Sequence, residues 1–147
     1  MKPARGWIRF AGVMGLATAL GACSGSDPAP KCTLIASVPL SVDLAPGLLK
    51  QVETMSVELC RDGECEVKTV SLDPTRVATP WSAMIFVSPL TAQPVQASVR
   101  MTTTSGDSPP PARLTLIPEA THPNGPHCGT DYVARIRVAE DGTATQA

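Results

Sequence analysis

The chain has 147 residues, a formal net charge of −1, 15 prolines and only 3% aromatic residues. The lack of a basic excess argues against nucleic acid as a partner, and so few aromatic residues argue against a carbohydrate-binding platform. The many prolines disfavour long helices and favour short strands between rigid turns.

The N-terminal residues 1–22 have the pattern of a signal peptide that is removed. Three basic residues precede the uncharged, largely apolar run 11–20, which is too short for a membrane span of about 20 residues. The next residues, Leu20-Gly21-Ala22-Cys23, resemble the lipobox of bacterial lipoproteins. That resemblance implies cleavage before Cys23 and attachment of diacylglycerol to its sulfur. The alternative is an ordinary signal peptide that leaves a free thiol.

A lipidated Cys23 predicts a protein held at the extracytoplasmic face of the bacterial cell membrane. Two acyl chains suffice for stable anchoring, so the membrane is the first predicted partner. Residues 23–31 comprise this cysteine and a flexible tether of small, polar and proline-rich residues. The processed chain retains nine basic and 13 acidic residues, enough net charge to keep a single domain soluble. Its aromatic residues are Trp81, Phe86 and Tyr132, so the core must be aliphatic.

Residues 32–140 are predicted to form seven or eight short β-strands. Residues 32–44 alternate between apolar and polar, and Pro39 places this strand at an edge or divides it. Segment 83–88 is apolar on both faces, as expected of a central strand, and residues 141–147 are expected to be a frayed tail. The other predicted strands are 54–60, 65–72, 95–103, 113–118 and 132–138. This pattern predicts an all-β fold, a two-sheet immunoglobulin-like β-sandwich.

Four cysteines remain besides Cys23, and an even number in an exported domain indicates two disulfides. Cys60 and Cys65 flank a turn between two predicted strands, where opposed residues lie close enough to be bridged. We therefore predict a Cys60–Cys65 bond, which leaves Cys32 to pair with Cys128. The alternative for Cys60 and Cys65 is a metal or redox pair.

Two clusters offer weak candidates for metal binding. His122, His127 and Asp131 could form a copper or zinc site, although a rigid loop with a turn at Asn124-Gly125 also explains this segment. The acidic residues Asp62, Glu64 and Glu66 could attract Ca²⁺, or they could simply form a solvated hairpin tip. No metal or other cofactor is predicted.

The sequence lacks the motifs of common enzymes. No serine has the G-x-S-x-G context, and no glycine-rich phosphate-binding motif is present. An enzyme is therefore not predicted, and a small hydrolase with an unrecognised site is the third choice.

Four segments resemble a family of uncharacterised secreted lipoproteins of actinobacterial type. These are C-T-L-I at Cys32, C-R-D-G-E-C at Cys60–Cys65, L-T-L-I-P-E at Leu114–Glu119 and P-N-G-P-H-C-G at Pro123–Gly129. The resemblance implies the anchor and the disulfides and supplies no catalytic residue.

The predicted function is a non-catalytic binding or interaction module of the bacterial cell envelope, with an envelope protein as possible partner. The alternative is a metal-handling lipoprotein that uses His122 and His127.

Overall fold

The computed structural model describes Cys32, residues 37–73 and residues 81–147. The predictions for the signal peptide 1–22, for Cys23 and for the tether lie outside these residues. Nine β-strands and one short helix occur in the described part. In chain order they are β1 Leu40–Leu44, α1 Pro46–Leu49, β2 Val52–Arg61, β3 Glu64–Ser71, β4 Ser82–Ile85, β5 Val95–Thr103, β6 Ala112–Leu116, β7 Glu119–Thr121, β8 Asp131–Val138 and β9 Ala144–Gln146.

The strands form two packed sheets, which confirms the predicted all-β sandwich. In sheet I the order is β4-β1-β8, and both β7 and β9 pair with the far side of β8. The β1–β8 pair is parallel, and the other pairs of sheet I are antiparallel. Sheet II is antiparallel in the order β3-β2-β5-β6. The immunoglobulin-like character of this sandwich stays a prediction.

The core between the sheets is aliphatic, as the scarcity of aromatic residues predicts. Within the described ranges 20 apolar residues are buried, all Leu, Val, Ile, Ala or Met, and they come from both sheets and from the segments beside them. Alternate residues of a strand point to opposite faces, so β1 buries Leu40, Val42 and Leu44 and turns the residues between them outward. Fully burying one such side chain contributes about 1.5–3 kcal/mol.

Both predicted disulfides are present. Cys60 and Cys65 are directly opposed in the β2–β3 register, with Cα atoms 4.1 Å apart. The tight turn between them places Asp62 and Gly63 at φ values of 50° and 86°, and an Asp-Gly pair suits this left-handed conformation. Cys32 pairs with Cys128 across 96 residues, with Cα atoms 5.3 Å apart.

The prediction that 83–88 forms a central strand is wrong. The strand is shorter, Ser82–Ile85, and lies at the edge of sheet I beside β1. Met84 is 66% exposed and Phe86 is 70% exposed. Apolar residues on both faces of a strand indicate a central strand when the rest of the protein covers both faces. Here Met84 and Phe86 are exposed on the outer face of sheet I.

The predicted frayed tail 141–147 is also wrong, because its last residues form β9. Asp141 Oδ1 accepts hydrogen bonds from the Thr143 backbone N (2.9 Å) and Oγ1 (2.6 Å), which close the preceding turn and lower the pKa of Asp141. The side-chain amide of Gln146 forms two hydrogen bonds with the backbone of Ile117, as a neighbouring strand would. Its Nε2 donates to Ile117 O and its Oε1 accepts from Ile117 N, each at 2.7 Å.

No helix in the described residues has the length and apolar character needed to cross a bilayer.

We expect Gln146→Ala to lower the free energy of unfolding by about 1 kcal/mol, because two partly solvated hydrogen bonds are lost. The measurement is urea unfolding with the disulfides intact. Thr145→Ala is the matched control, since it tests the loss of a β-favouring residue on the exposed face of the same strand. Equal effects of the two substitutions would show that the amide clasp contributes nothing.

Candidate functional site

The structure does not assemble His122, His127 and Asp131 into a metal site. His122 Nδ1 lies 2.9 Å from the carbonyl oxygen of Gly129, and because a carbonyl only accepts, Nδ1 donates this bond. Asp131 Oδ2 accepts from the backbone N of Ser37 at 3.2 Å. Among the described residues no three His, Cys, Asp or Glu side chains are grouped so that they could hold an ion. These contacts instead close the β7–β8 loop and fasten the chain ahead of β1.

The acidic residues of the β2–β3 hairpin do not converge either. Glu66 points to the inner side of β3, where its Oε2 accepts from the backbone N of Ser88 at 2.8 Å and its Oε1 pairs with Lys68 Nζ at 2.9 Å. The hydrogen bond from the Ser88 backbone, followed by that from Lys68, lowers the pKa of Glu66 to about 2. Asp62 and Glu64 remain exposed at the tip.

The same hairpin clamps the connection between β4 and β5, residues 86–94. Arg61 Nη1 donates to Pro89 O at 2.7 Å, and Glu66 holds the neighbouring residue Ser88. A groove of about 480 Å³ lies between the hairpin and this connection. Arg61 adjoins Cys60 and Glu66 adjoins Cys65, so the disulfide keeps both clamping residues at fixed positions. The hairpin thus sets the course of the chain that carries Phe86.

The three aromatic residues of the described chain differ in burial: Trp81 and Tyr132 are partly buried and pack against the core, whereas Phe86 is exposed. Trp81 and Phe86 stand at the two ends of β4, and Tyr132 lies near the start of β8. Phe86 lines an apolar groove of about 350 Å³ together with Pro39, Leu90 and Tyr132. Aromatic residues are enriched at the centres of protein interfaces, so this location points to a binding surface.

The outer face of sheet I carries two arginines together with carboxylates. Arg135 and Arg137 point outward from β8, and Arg135 Nε lies 3.3 Å from Ser41 Oγ and 4.0 Å from Asp43 Oδ2. A second groove, about 410 Å³, is lined by Trp81, Asp43 and both arginines. We call one set of residues the β4 surface: Met84, Phe86, Arg135 and Arg137, with Trp81 and Tyr132, which also pack against the core, at its margins.

The outer face of sheet II exposes Val67 and Ile117 near its edges, but its centre is polar. At its centre Ser98 is only 7% exposed, and its Oγ has no hydrogen-bond partner within the described residues. Glu58 and Arg113 flank it on the adjoining strands. A depression of about 170 Å³ at this point is too small for more than a side chain or a few water molecules.

Comparisons of the chain with protein families, with curated proteins and with solved structures found no match. Its function is therefore inferred from surface chemistry. The β4 surface was missed in the sequence, although its signal is present: the apolar segment 83–88 contains Phe86 and begins two residues after Trp81.

We expect Glu66→Gln to remove part of the acid sensitivity of the fold. The folded-state pKa of Glu66, about 2, lies below the ordinary value of 4.5, so the ionised carboxylate stabilises the protein above pH 4.5 and this contribution is lost as the pH falls towards 2. Melting temperatures between pH 2 and 7 measure it. The melting temperature of Glu66→Gln should lie below that of the wild type at pH 6 and converge with it near pH 2. Glu64→Gln, at the exposed hairpin tip, is the control. A difference in melting temperature between Glu66→Gln and the wild type that does not narrow on acidification would contradict the prediction.

Proposed function

We propose that this chain is a lipid-anchored protein of the bacterial cell envelope whose β-sandwich is a non-catalytic interaction module. It engages an envelope protein through the β4 surface. The observation that carries this proposal is the exposure of large apolar side chains on and beside β4: Met84 is 66% exposed and Phe86 is 70% exposed.

Physical chemistry favours a binding role for such a surface. Removing apolar surface from water is favourable by about 25 cal/mol per Å². Burial of Met84 and Phe86 under a partner would therefore contribute to the free energy of binding. The arginines add orientation, because guanidinium groups form directional contacts with carboxylates. Aromatic residues combined with arginine are the composition of interface hot spots.

The disulfides support a location outside the cytoplasm. Such bonds persist in oxidising compartments and are rare where thiols are kept reduced. The lipobox-like Cys23 supplies the anchor, and the segment 23–31 allows the domain at most about 30 Å of reach from the lipid. A module on a tether of this length meets membrane-bound partners at a raised effective concentration.

We expect Cys23→Ser to release the protein from the membrane fraction and to abolish its labelling by a fatty-acid analogue. Cys23 carries the acyl chains in this proposal, and without them the tether has no membrane affinity. Fractionation and metabolic labelling of intact cells measure the effect. A Cys23→Ser protein that stays membrane-bound and labelled would rule out the anchor.

The partner-binding role is tested with a photo-crosslinking amino acid at Ser82, which is exposed on β4. We expect crosslinks to one protein species in living cells, reduced about tenfold by Phe86→Ala, as for a moderate hot-spot residue. Thr69, exposed on β3 of sheet II, is the matched control position. Equal crosslinking from both positions, or none from Ser82, would refute a role for the β4 surface.

A further inference from the structure

We propose that the partner is a protein embedded in the membrane, and that the domain binds it at the outer surface of the bilayer. The contact is made through the groove lined by Pro39, Phe86, Leu90 and Tyr132, which we call the Phe86 groove. This inference rests on the proposed function, because it states which kind of envelope protein is engaged and where. It also gives the domain an orientation, with the end that carries Phe86 towards the lipid.

The strand register brings the Phe86 groove to the end of the sandwich at which β1 begins. Leu40, the first residue of β1, is opposite Ile85 of β4 and Ala134 of β8. Because β4 is antiparallel to β1, Phe86 follows β4 at this end. Because β8 is parallel to β1, Tyr132 lies at this end too, near the start of β8. The groove is therefore formed where the chain enters and leaves sheet I.

The chain that leads to the predicted anchor leaves the domain at the same end. Cys32 is bonded to Cys128, and Thr130, two residues further along the chain, lines the groove. The Cα atoms of the two cysteines are 5.3 Å apart and consecutive Cα atoms about 3.8 Å, so the Cα atom of Cys32 lies within about 13 Å of that of Thr130. Asp131 adds a second attachment, because its Oδ2 accepts from the backbone N of Ser37. The exit point of the chain is thus fixed beside the groove.

The short predicted tether keeps that end of the domain close to the bilayer. Nine residues, 23–31, precede Cys32, and a flexible chain of this length has a root-mean-square span of about 16 Å. β2 ends at the same end of the sandwich, where Arg61 Nη1 donates to Pro89 O. Its ten residues extend about 33 Å, so the opposite end of the domain is farther from the lipid by about that length. Since a folded domain does not enter the hydrocarbon, the Phe86 groove is on the part nearest the membrane.

The chemistry of this end favours a protein over the lipid itself. Four connections of the described chain lie here: 62–63, 86–94, 117–118 and 122–130. None of them contains a lysine or arginine, and the exposed residues Asp62, Glu64 and Glu119 are acidic. Domains are drawn to anionic lipid by clusters of basic residues, so the described residues at this end offer no such attraction. The groove is concave, about 350 Å³, and a protruding apolar side chain of a protein fills such a space.

Photo-crosslinking from Thr130 in living cells identifies the class of partner. Thr130 is exposed and lines the groove. Ala139, exposed directly after β8 at the opposite end of the sandwich, is the matched control position. We expect mass spectrometry of the Thr130 adduct to find a peptide that directly adjoins a membrane-spanning segment of another protein. An adduct with a protein that has no membrane span, a second copy of this chain included, would overturn the inference, and so would equal yields from the two positions.

The length of the tether provides a quantitative test. Inserting 20 glycine and serine residues after Lys31 lengthens it from nine to about 29 residues, and the effective concentration of a tethered module falls roughly as the −3/2 power of tether length. With the partner below saturation, we expect crosslinks from Thr130 to fall about sixfold. The same insertion after Ala147 is the control and should leave the yield unchanged. Equal yields with the long and the short tether would overturn the inference, because a partner away from the membrane is reached on either.

Vesicles and a matched pair of variants separate a protein partner from the lipid. The full lipidated chain, placed in vesicles of phosphatidylcholine and phosphatidylglycerol without other protein, should give no lipid adduct from Thr130, and lipid adducts would overturn the inference. In cells we expect Phe86→Ala to lower crosslinking from Thr130 about tenfold. Ile117→Ala should leave it unchanged, since Ile117 is 61% exposed at the same end but lies outside the groove. Equal losses would show that a broad surface is in contact and would overturn the groove as the site.

Crosslinking from Ser82 distinguishes a failure of this inference from a failure of the proposed function. If Ser82 gives no crosslinks in cells, the proposed function itself fails. If Ser82 crosslinks to a protein without a membrane span, or to the same extent on the long tether, the β4 surface remains a binding surface. The membrane-embedded partner would then be excluded.

Discussion

The parallel pairing of β1 with β8 is the contact on which the rest of the structure depends. It joins the first and last long strands of the domain, residues 40–44 and 134–138. Within the described residues β4 pairs with β1 alone, and β7 and β9 pair with β8 alone. Such a contact between distant parts of the chain has a cost in loop-closure entropy. The Cys32–Cys128 bond reduces this cost, because it closes a loop of about the same span.

The two disulfides consequently have different roles. In the chain-entropy model the long loop contributes about 4–5 kcal/mol and the short hairpin loop about 2 kcal/mol. The Cys60–Cys65 bond matters more for geometry. It holds Arg61 and Glu66 where they bind Pro89 and Ser88 across the gap between the sheets. The stability of the sandwich and the position of Phe86 are therefore set by separate crosslinks.

The fully buried core of the described residues is aliphatic, Trp81 and Tyr132 pack against its margin, and Phe86 is exposed. An aliphatic core of this size is adequate for about 110 residues, so large rings are not needed inside. At the edge of sheet I Met84 and Phe86 are exposed, and the outward residues of the same sheet include Arg135 and Arg137 together with Asp43 and Asp131.

The sequence by itself determined the short strands, the aliphatic core and the pairing of the cysteines, because alternation and a tight Asp-Gly turn are local patterns. Tertiary structure decided the rest. Segment 83–88 has the same apolar pattern whether its outward side chains are buried or exposed to solvent. Only the folded structure shows that Met84 and Phe86 are exposed. Gln146 fixes the tail by hydrogen bonds to the backbone of Ile117, and Glu66 fixes the β4–β5 connection by a hydrogen bond from the backbone N of Ser88. Neither partner is adjacent in the chain, and local composition carries no information about such contacts.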